Sequence, residues 1–568
     1  MSTQPGTPAP SSSTLLPLDL LRWGLLASVL AYMPGEMLFL DGHLFPAELV
    51  LHVFAFAALA LCLALSPARR ADAADLCLAA YVVLGVASAL YAVNGWFAVR
   101  ALGLTLSSAA AFWAARRLAA DGRGPALARA AALVGVAAAI PALLEAYGVL
   151  PPISAVNRAP GGTLQNRNAM AHLVVLALPL LVAFAAGARA RVAAWGGAAG
   201  LALVSAALVL SRSRAGWLAA ALVLVVCAAT AALGRGALAG TRVQARAGLL
   251  AVALAAGAAA AVLLPNRLDW TSDRPYTATL TGIMNFEYGS GRGRVIQYGN
   301  TTRMVAAHPL LGVGPGNWTV HYPRYATPGD PSYTALSPSP TTRLPQSDWV
   351  GMAAERGVPA LLLLLGVGAA AAMMGIGRLR AAIAARDADQ VLAAFSLLAM
   401  LAALAVVGTT DPVLQTPTAA FLVFAAAGAL LPARPRPAGE PRRAWEHAPL
   451  RYALPAAAVL AAAVPVGYAG RQAVAGRLYA HGLDTAALER ATRINPGDYR
   501  AHMLLGDALA RAHDCAALEP HLAAAERLFP TARAPGVLRD RCREGASASV
   551  TAADPRPRAD DGAARTAR

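Results

Sequence analysis

The sequence contains no lysine, so all 48 of its basic residues are arginine, which reads as a coding bias and not as chemistry. Charge is scarce altogether, at 14% against 57% hydrophobic residues. A soluble globular chain carries about 25% charged residues. So little charge over 568 residues excludes an ordinary soluble fold and calls for a second apolar solvent, the bilayer. Cysteine is scarce too, with five residues, and neither CxxC nor HExxH spacing occurs, so no metal site and no cofactor are expected. No stretch has the pattern of a coiled coil, collagen or a prion-like tract. The net charge of +17 is not matched by a basic face with interleaved aromatics, which excludes nucleic acid as a partner.

Residues 1–17 are rich in Ser, Pro and Thr and lack the basic start and small-residue cleavage site of a signal peptide; a disordered cytoplasmic tail is expected. Apolar runs long enough to span then recur near 20–40, 46–66, 74–95, 98–119, 127–149, 168–187, 192–210, 214–233 and 247–264. After a polar gap they resume near 354–375, 389–409, 414–431 and 451–469. The expectation is an all-α, polytopic transmembrane bundle of about 12–13 spans over 18–470, its first span broken at Pro34–Gly35. Glu145 is the one charged residue read as lying deep in a span.

Arginine placement orients this map. With the N-terminus inside, the loops 68–75, 116–123, 187–191, 235–246, 378–386 and 433–451 are Arg-rich, whereas 41–46, 93–96 and 409–415 hold none. This is the positive-inside pattern. It places the polar gap, 265–350, and everything after Tyr468 on the outer side. The gap carries Trp270, Trp318 and Trp349 and is far longer than an idle connection, so an ordered, functional loop is expected.

The outer C-terminal segment has an internal repeat: Arg490–Pro496 recurs as Ala524–Pro530, 34 residues on, the period of a tetratricopeptide repeat. Leu505, Gly506, Ala525 and Pro530 fall at that repeat's positions, while Leu518 stands where a small residue is usual. Residues 471–543 are read as a small helical module of this kind that leans on the membrane domain or a protein partner, and 544–568 as a disordered tail. Cys62, Cys77 and Cys227 read as core residues, and Cys515 with Cys542 as a disulfide in an oxidising compartment.

Four outer stretches can carry chemistry: Arg158–Asn168, Ser211–Trp217, Gly291–Arg294 and His308–Pro323, followed by Gln346-Ser347-Asp348 and Glu355. Arginine outside runs against the orienting rule and needs another reason. A planar guanidinium binds phosphate oxygens two at a time, so Arg212, Arg214, Arg292 and Arg294 are candidate anion ligands. Arg158, Asn166, Asn168, Asn317 and Gln346 are candidates for sugar hydroxyls or phosphate. The run Gly312–Gly316 lacks the Lys-Ser/Thr of a P-loop and reads as a turn or sugar-binding loop.

Together these stretches resemble the O-antigen ligase, polymerase and O-oligosaccharyltransferase superfamily. Gly162-Thr163-Leu164-Gln165-Asn166-Arg167-Asn168 looks like the family's Gly-Thr-x-x-Asn-Pro-Asn, with Arg167 in place of Pro. Ser211-Arg212-Ser213-Arg214 looks like its Ser-x-Ser-Arg, and His308-Pro309-Leu310 with Gly312, Gly314, Gly316 and Asn317 like its His-Pro-Leu motif. The resemblance covers about 150–375, and members often carry a C-terminal tetratricopeptide module. It implies metal-independent transfer or polymerisation of a polyprenyl-diphosphate-linked glycan, usually undecaprenyl-linked, onto a lipid (lipid A core), glycan or protein acceptor. The place implied is the periplasmic face of a bacterial inner membrane, in lipopolysaccharide or related polysaccharide biosynthesis. Arg214 matches the family's first arginine and Arg294 the one ahead of the His-Pro-Leu motif.

One departure matters. The family's histidine, nine residues ahead of the Glu, is Gln346 here, and Gln is no general base. Ala360 also replaces the second Gly of the following Gly-x-x-Gly. Three alternatives stay open: Asp348, His308 or His321 is the catalytic base; the protein is slow or inactive; or it runs a related step. His308 also reads as a loop-packing residue and Asp348 as a helix cap. Outside catalysis, the competing readings are a membrane transporter or a non-catalytic scaffold in envelope polysaccharide biogenesis.

Overall fold

The computed structural model describes residues 15–31, 44–66, 69–155, 158–270, 272–283, 285–337, 340–435, 452–480 and 484–544. Of the expected tails 1–17 and 544–568, residues 1–14 and 545–568 lie outside them, as does the break at Pro34–Gly35, whereas residues 15–17 and 544 are helical. Among the described residues there is no β-strand, only two isolated β-bridges, so the expected all-α class holds.

In chain order the helices are α1 Leu15–Leu30, α2 Phe45–Leu65, α3 Ala73–Ala89, α4 Gly95–Ala120, α5 Gly124–Ala146, α6 Arg167–Gly187 and α7 Arg191–Ser211. Then come α8 Arg214–Leu233, α9 Arg235–Leu238, α10 Arg242–Leu263, α11 Pro275–Thr281, α12 Gly289–Ala307, α13 Trp318–His321, α14 Asp348–Ala384, α15 Ala388–Thr410 and α16 Pro417–Leu430. The last are α17 Ala453–Ala480, α18 Thr485–Ile494, α19 Tyr499–Arg511, α20 Cys515–Leu528 and α21 Ala534–Glu544. Each expected span overlaps a helix, the first only over 20–30 because 32–40 lie outside the described residues, but ten among the described residues are long and apolar enough to cross a membrane. The difference lies in α1, α3 and α16, with 16, 17 and 14 residues. The chain is a multi-pass membrane protein.

The chain forms two compact units. The first, residues 1–318 and 344–473, is the helical bundle. In it α6 runs through the middle, packed by α5, α7 and α15, with α7 against α10, α14 against α3 and α15, and α16 against α4. Small side chains let these backbones close up: a Cβ on Gly257 of α10 would stand 2.0 Å from the Ala202 carbonyl oxygen of α7. Caps begin the helices that matter below. Asn166 starts α6 by accepting from the Asn168 amide at 2.9 Å, and Ser213 starts α8 by accepting from Gly216 at 3.3 Å.

Charge inside the spans is wider than the sequence reading allowed. Besides Glu145, buried Glu48 of α2 accepts from Arg100 Nε of α4 at 2.7 Å, and His52 Nδ1 lies 2.7 Å from the Ser107 hydroxyl. Both members of each pair come from different helices, so no single apolar run announces them.

The second unit, residues 319–343 and 474–568, joins the middle of the long polar loop to the C-terminal helices. Within it the Thr531 hydroxyl donates to the Val320 carbonyl at 2.6 Å, which ties the two segments together. In the helical hairpins α18–α19 and α20–α21, Leu518 is buried against Gly506 of α19, whose missing Cβ leaves it room. Cys515 and Cys542 are joined by a disulfide with Cα atoms 5.9 Å apart. It closes a 27-residue separation. Reduction is expected to lower the stability of these helices by about 2–4 kcal/mol, read as faster amide exchange in α20 and α21 of the full-length protein with reductant than without.

Two histidines tie α19 to α20. His502 Nδ1 and His521 Nδ1 face each other at 3.1 Å, and His502 Nε2 lies 3.2 Å from the Pro496 carbonyl. Burial holds both imidazoles below their ordinary value, His502 more deeply enclosed than His521. A neutral pair is therefore the folded state's preference. Its stabilisation is complete above about pH 6.5 and is lost as the pH falls below that. Amide exchange in α19 and α20 is expected to be faster at pH 5 than at pH 7.5, and His521→Gln to reduce that difference.

Candidate functional site

Two groups of polar residues gather in the bundle unit at the end that holds the N-terminus of α6. The first lies at the α7–α8 junction. Arg212 caps α7 in the left-handed region, φ 52°, which turns the chain back sharply into α8. Its Nε donates to the Thr279 hydroxyl of α11 at 3.0 Å, and its guanidinium carbon lies 4.7 Å from the Trp270 ring centroid. Burial pulls this guanidinium below its ordinary value; Tyr276 opposes the shift and Arg214 reinforces it. Arg214, the first residue of α8, is half-buried, and Arg167, the first of α6, lies within electrostatic reach of Arg212. Among the described residues no carboxylate pairs with Arg167, Arg212 or Arg214. Two helix N-termini add their partial positive charge beside them. Such an arrangement of unpaired cations and helix N-termini suits an anion chemically.

The loop leading into α6 is shaped by Glu145, in the last turn of α5. Its Oε1 accepts from the amides of Ile153 at 2.9 Å and Ser154 at 2.6 Å. Its Oε2 accepts from the Ser154 hydroxyl at 3.1 Å and the amides of Gly161 at 3.0 Å and Gly162 at 2.8 Å. The buried charge is thus satisfied entirely by the loop that carries Arg158 and Asn166. Neither fold class nor motif reading assigned it that role.

The second group surrounds Asp411, just past α15. Arg294 of α12 donates from Nε to the Thr410 carbonyl at 2.9 Å and from Nη2 to Asp411 Oδ2 at 3.2 Å. On the other side His172 of α6 places Nε2 3.6 Å from the same oxygen. Tyr298, one turn beyond Arg294, has its hydroxyl 3.0 Å from the Gln346 carbonyl and 2.5 Å from that of Thr409. Burial pushes that hydroxyl up to about 12, so it stays a donor. The Gln346 amide donates to the Gln297 side chain at 2.6 Å.

The remaining candidates are placed as follows. Asp348 is fully buried, and both its carboxylate oxygens accept from the Leu414 amide at 3.0 Å, so it fixes the loop that carries Asp411. Asn317 is equally buried: Oδ1 accepts from the Asn94 amide at 2.7 Å, and Nδ2 donates to the carbonyls of Asn94 and Pro315 at 3.0 Å. The glycine motif packs on the kink of α14. At Gly357, φ 84° interrupts the helix, and a Cβ there would stand 2.0 Å from the Leu310 carbonyl oxygen. Val313 and Gly314 donate to the carbonyls of Ala354 and Glu355 at 2.9 Å. The run therefore serves close backbone packing. His308 caps α12 and is exposed, as is Arg292. His321 belongs to the other compact unit. Among the described residues no cluster of His, Cys, Asp or Glu suits a metal ion.

No curated protein matches the chain. Residues 199–365, which include Arg212, Arg214, Arg294, the His308–Asn317 motif, Gln346 and Glu355, match the family model of the O-antigen ligase. Residues 199–365 of this multi-pass membrane protein thus match an O-antigen ligase domain, which supports glycan transfer or polymerisation in general terms.

Proposed function

We propose that this protein transfers a glycan from a polyprenyl diphosphate to a lipid, glycan or protein acceptor at the periplasmic face of the bacterial inner membrane. The observation that carries this reading is the group Arg167, Arg212 and Arg214, three cations without a carboxylate partner among the described residues. A diphosphate is a good leaving group once its growing charge is met, and preorganised guanidiniums meet it without metal chemistry. Arg214 takes the phosphate oxygens directly. Arg212, anchored on Thr279 and Trp270, supplies a fixed charge behind it. The acceptor hydroxyl attacks the anomeric carbon, its proton passes to a base, and the electron pair of the broken bond leaves on the diphosphate oxygen. Asn166 and Asn168, at the start of α6 with Arg167, and Gln346 bind sugar hydroxyls or phosphate oxygens. The tetratricopeptide-like hairpins of the second unit hold a protein partner or the acceptor.

A strain lacking the gene tests this reading. It should accumulate lipid-linked glycan and leave the acceptor unmodified, and the wild-type gene should reverse both. An unchanged lipid-linked pool and acceptor would reject transfer and favour a scaffold.

A further inference from the structure

Gln346 leaves the family-like loop without its imidazole, yet an imidazole stands at the same cluster. His172 is almost wholly buried, its Nε2 has no hydrogen-bond partner, and that atom faces Asp411 Oδ2 at 3.6 Å. Asp411 is about one-fifth exposed, at 21%, and so is the member of the pair that a substrate can touch. The charged groups within reach of His172 are Asp411, from the end of α15, and Arg294, from α12.

We propose that Asp411 is the catalytic base of the transfer and that His172 is its positioning residue, the pair replacing the imidazole that position 346 lacks. This rests on the transfer reading above. In the structure Arg294 holds Asp411 as an ion pair at 3.2 Å. A donor diphosphate competes for that guanidinium, because phosphate oxygens accept the same forked donors as a carboxylate. When the donor takes Arg294, Asp411 loses its cationic partner and its carboxylate is free to accept from the acceptor hydroxyl. The acceptor O–H proton then moves to Asp411 Oδ as the hydroxyl oxygen bonds the anomeric carbon and the diphosphate departs with the bonding electrons. His172 Nε2 lies behind the carboxylate and accepts a hydrogen bond from the protonated acid, so the proton is not returned to the product oxygen. Asp348, bonded to the Leu414 amide, keeps this loop in register. Donor arrival and base activation are thereby linked through one arginine.

The test uses full-length protein in proteoliposomes with an undecaprenyl-diphosphate-linked oligosaccharide and acceptor extracted from the deletion strain. Transfer is followed from pH 5 to 9, and donor binding by tryptophan fluorescence. Asp411→Asn is expected to lower kcat at least 100-fold and to abolish the rise of rate with pH, with donor binding retained. His172→Gln should lower kcat about tenfold and shift the midpoint of that rise, which a packing role alone would not move. Gln346→His in the His172→Gln background should recover part of the lost rate. Wild-type rates and an unshifted profile in both Asp411→Asn and His172→Gln would overturn the inference. If His172→Gln fails to insert, Asp411→Asn, altered at a partly exposed position, decides alone. Wild-type protein that binds donor no better than Arg214→Ala and transfers nothing would instead overturn the transfer reading, and this inference with it.

Discussion

Arg214→Ala is expected to slow glycan transfer roughly 10- to 100-fold while the protein inserts at normal abundance. The guanidinium has no hydrogen-bond partner among the described residues, so its removal leaves no buried donor or acceptor orphaned. Its loss therefore costs binding and transition-state charge, not folding. A charge-assisted hydrogen bond is worth about 1.5–3 kcal/mol, and a contact that tightens as the diphosphate departs is lost mainly from kcat. Arg214→Lys keeps the charge and loses the fork, so it should recover only part of the rate. Arg212→Ala is a different experiment. It also breaks the bond to Thr279 and the stacking on Trp270, and reduced abundance is expected alongside slower transfer. Transfer at the wild-type rate by Arg214→Ala, measured as lipid-linked glycan consumed per unit of inserted protein, would show that the arginine only anchors the helix at the headgroups.

The contrast between these neighbours shows what a sequence of this kind makes legible. The apolar runs report helices directly, because a bilayer admits little else as a spanning element. The motifs report which residues cluster in the chain, and Arg212 and Arg214 were found that way. They do not report what each side chain holds. Arg294 is as prominent in the sequence as Arg214, yet it is bound to Thr410 and Asp411, more than a hundred residues away. Asn317 and Asp348 belong to outer stretches that the motifs single out, and the structure employs their polar atoms on loop backbones. His172 lies within an apolar run and Asp411 in a short Arg-free loop, so neither carries a local signal. Their proximity is set by α6 packing on α15. A weak hint was present in Arg167, a cation where the resembling motif has proline. It opens α6 five residues before His172, about 7.5 Å along the helix axis. One buried helix thus contributes a residue to each of the two polar groups.

That helix is aimed by the loop before it, and the loop depends on one carboxylate. Glu145→Ala is expected to lower stability by about 3–5 kcal/mol, the range for removing one partner of a buried charged network. Five donors converge on its two oxygens, four of them backbone amides at Ile153, Ser154, Gly161 and Gly162. Three of those amides, at Ser154, Gly161 and Gly162, are buried, and each buried donor left without an acceptor is costly. Glu145→Gln retains one carbonyl oxygen and presents an amide where acceptors are required, so it should recover less than half of the loss. Because the loop carries Arg158 and sets the start of α6 at Asn166, transfer should fall with stability and not independently of it. Thermal unfolding of detergent-purified protein, measured beside glycan transfer at a temperature where both variants are still folded, separates the two effects. A Glu145→Ala protein with an unchanged melting temperature would refute the clamp. A stable but inactive one would mean that Glu145 acts in the chemistry, which its complete engagement with backbone amides argues against.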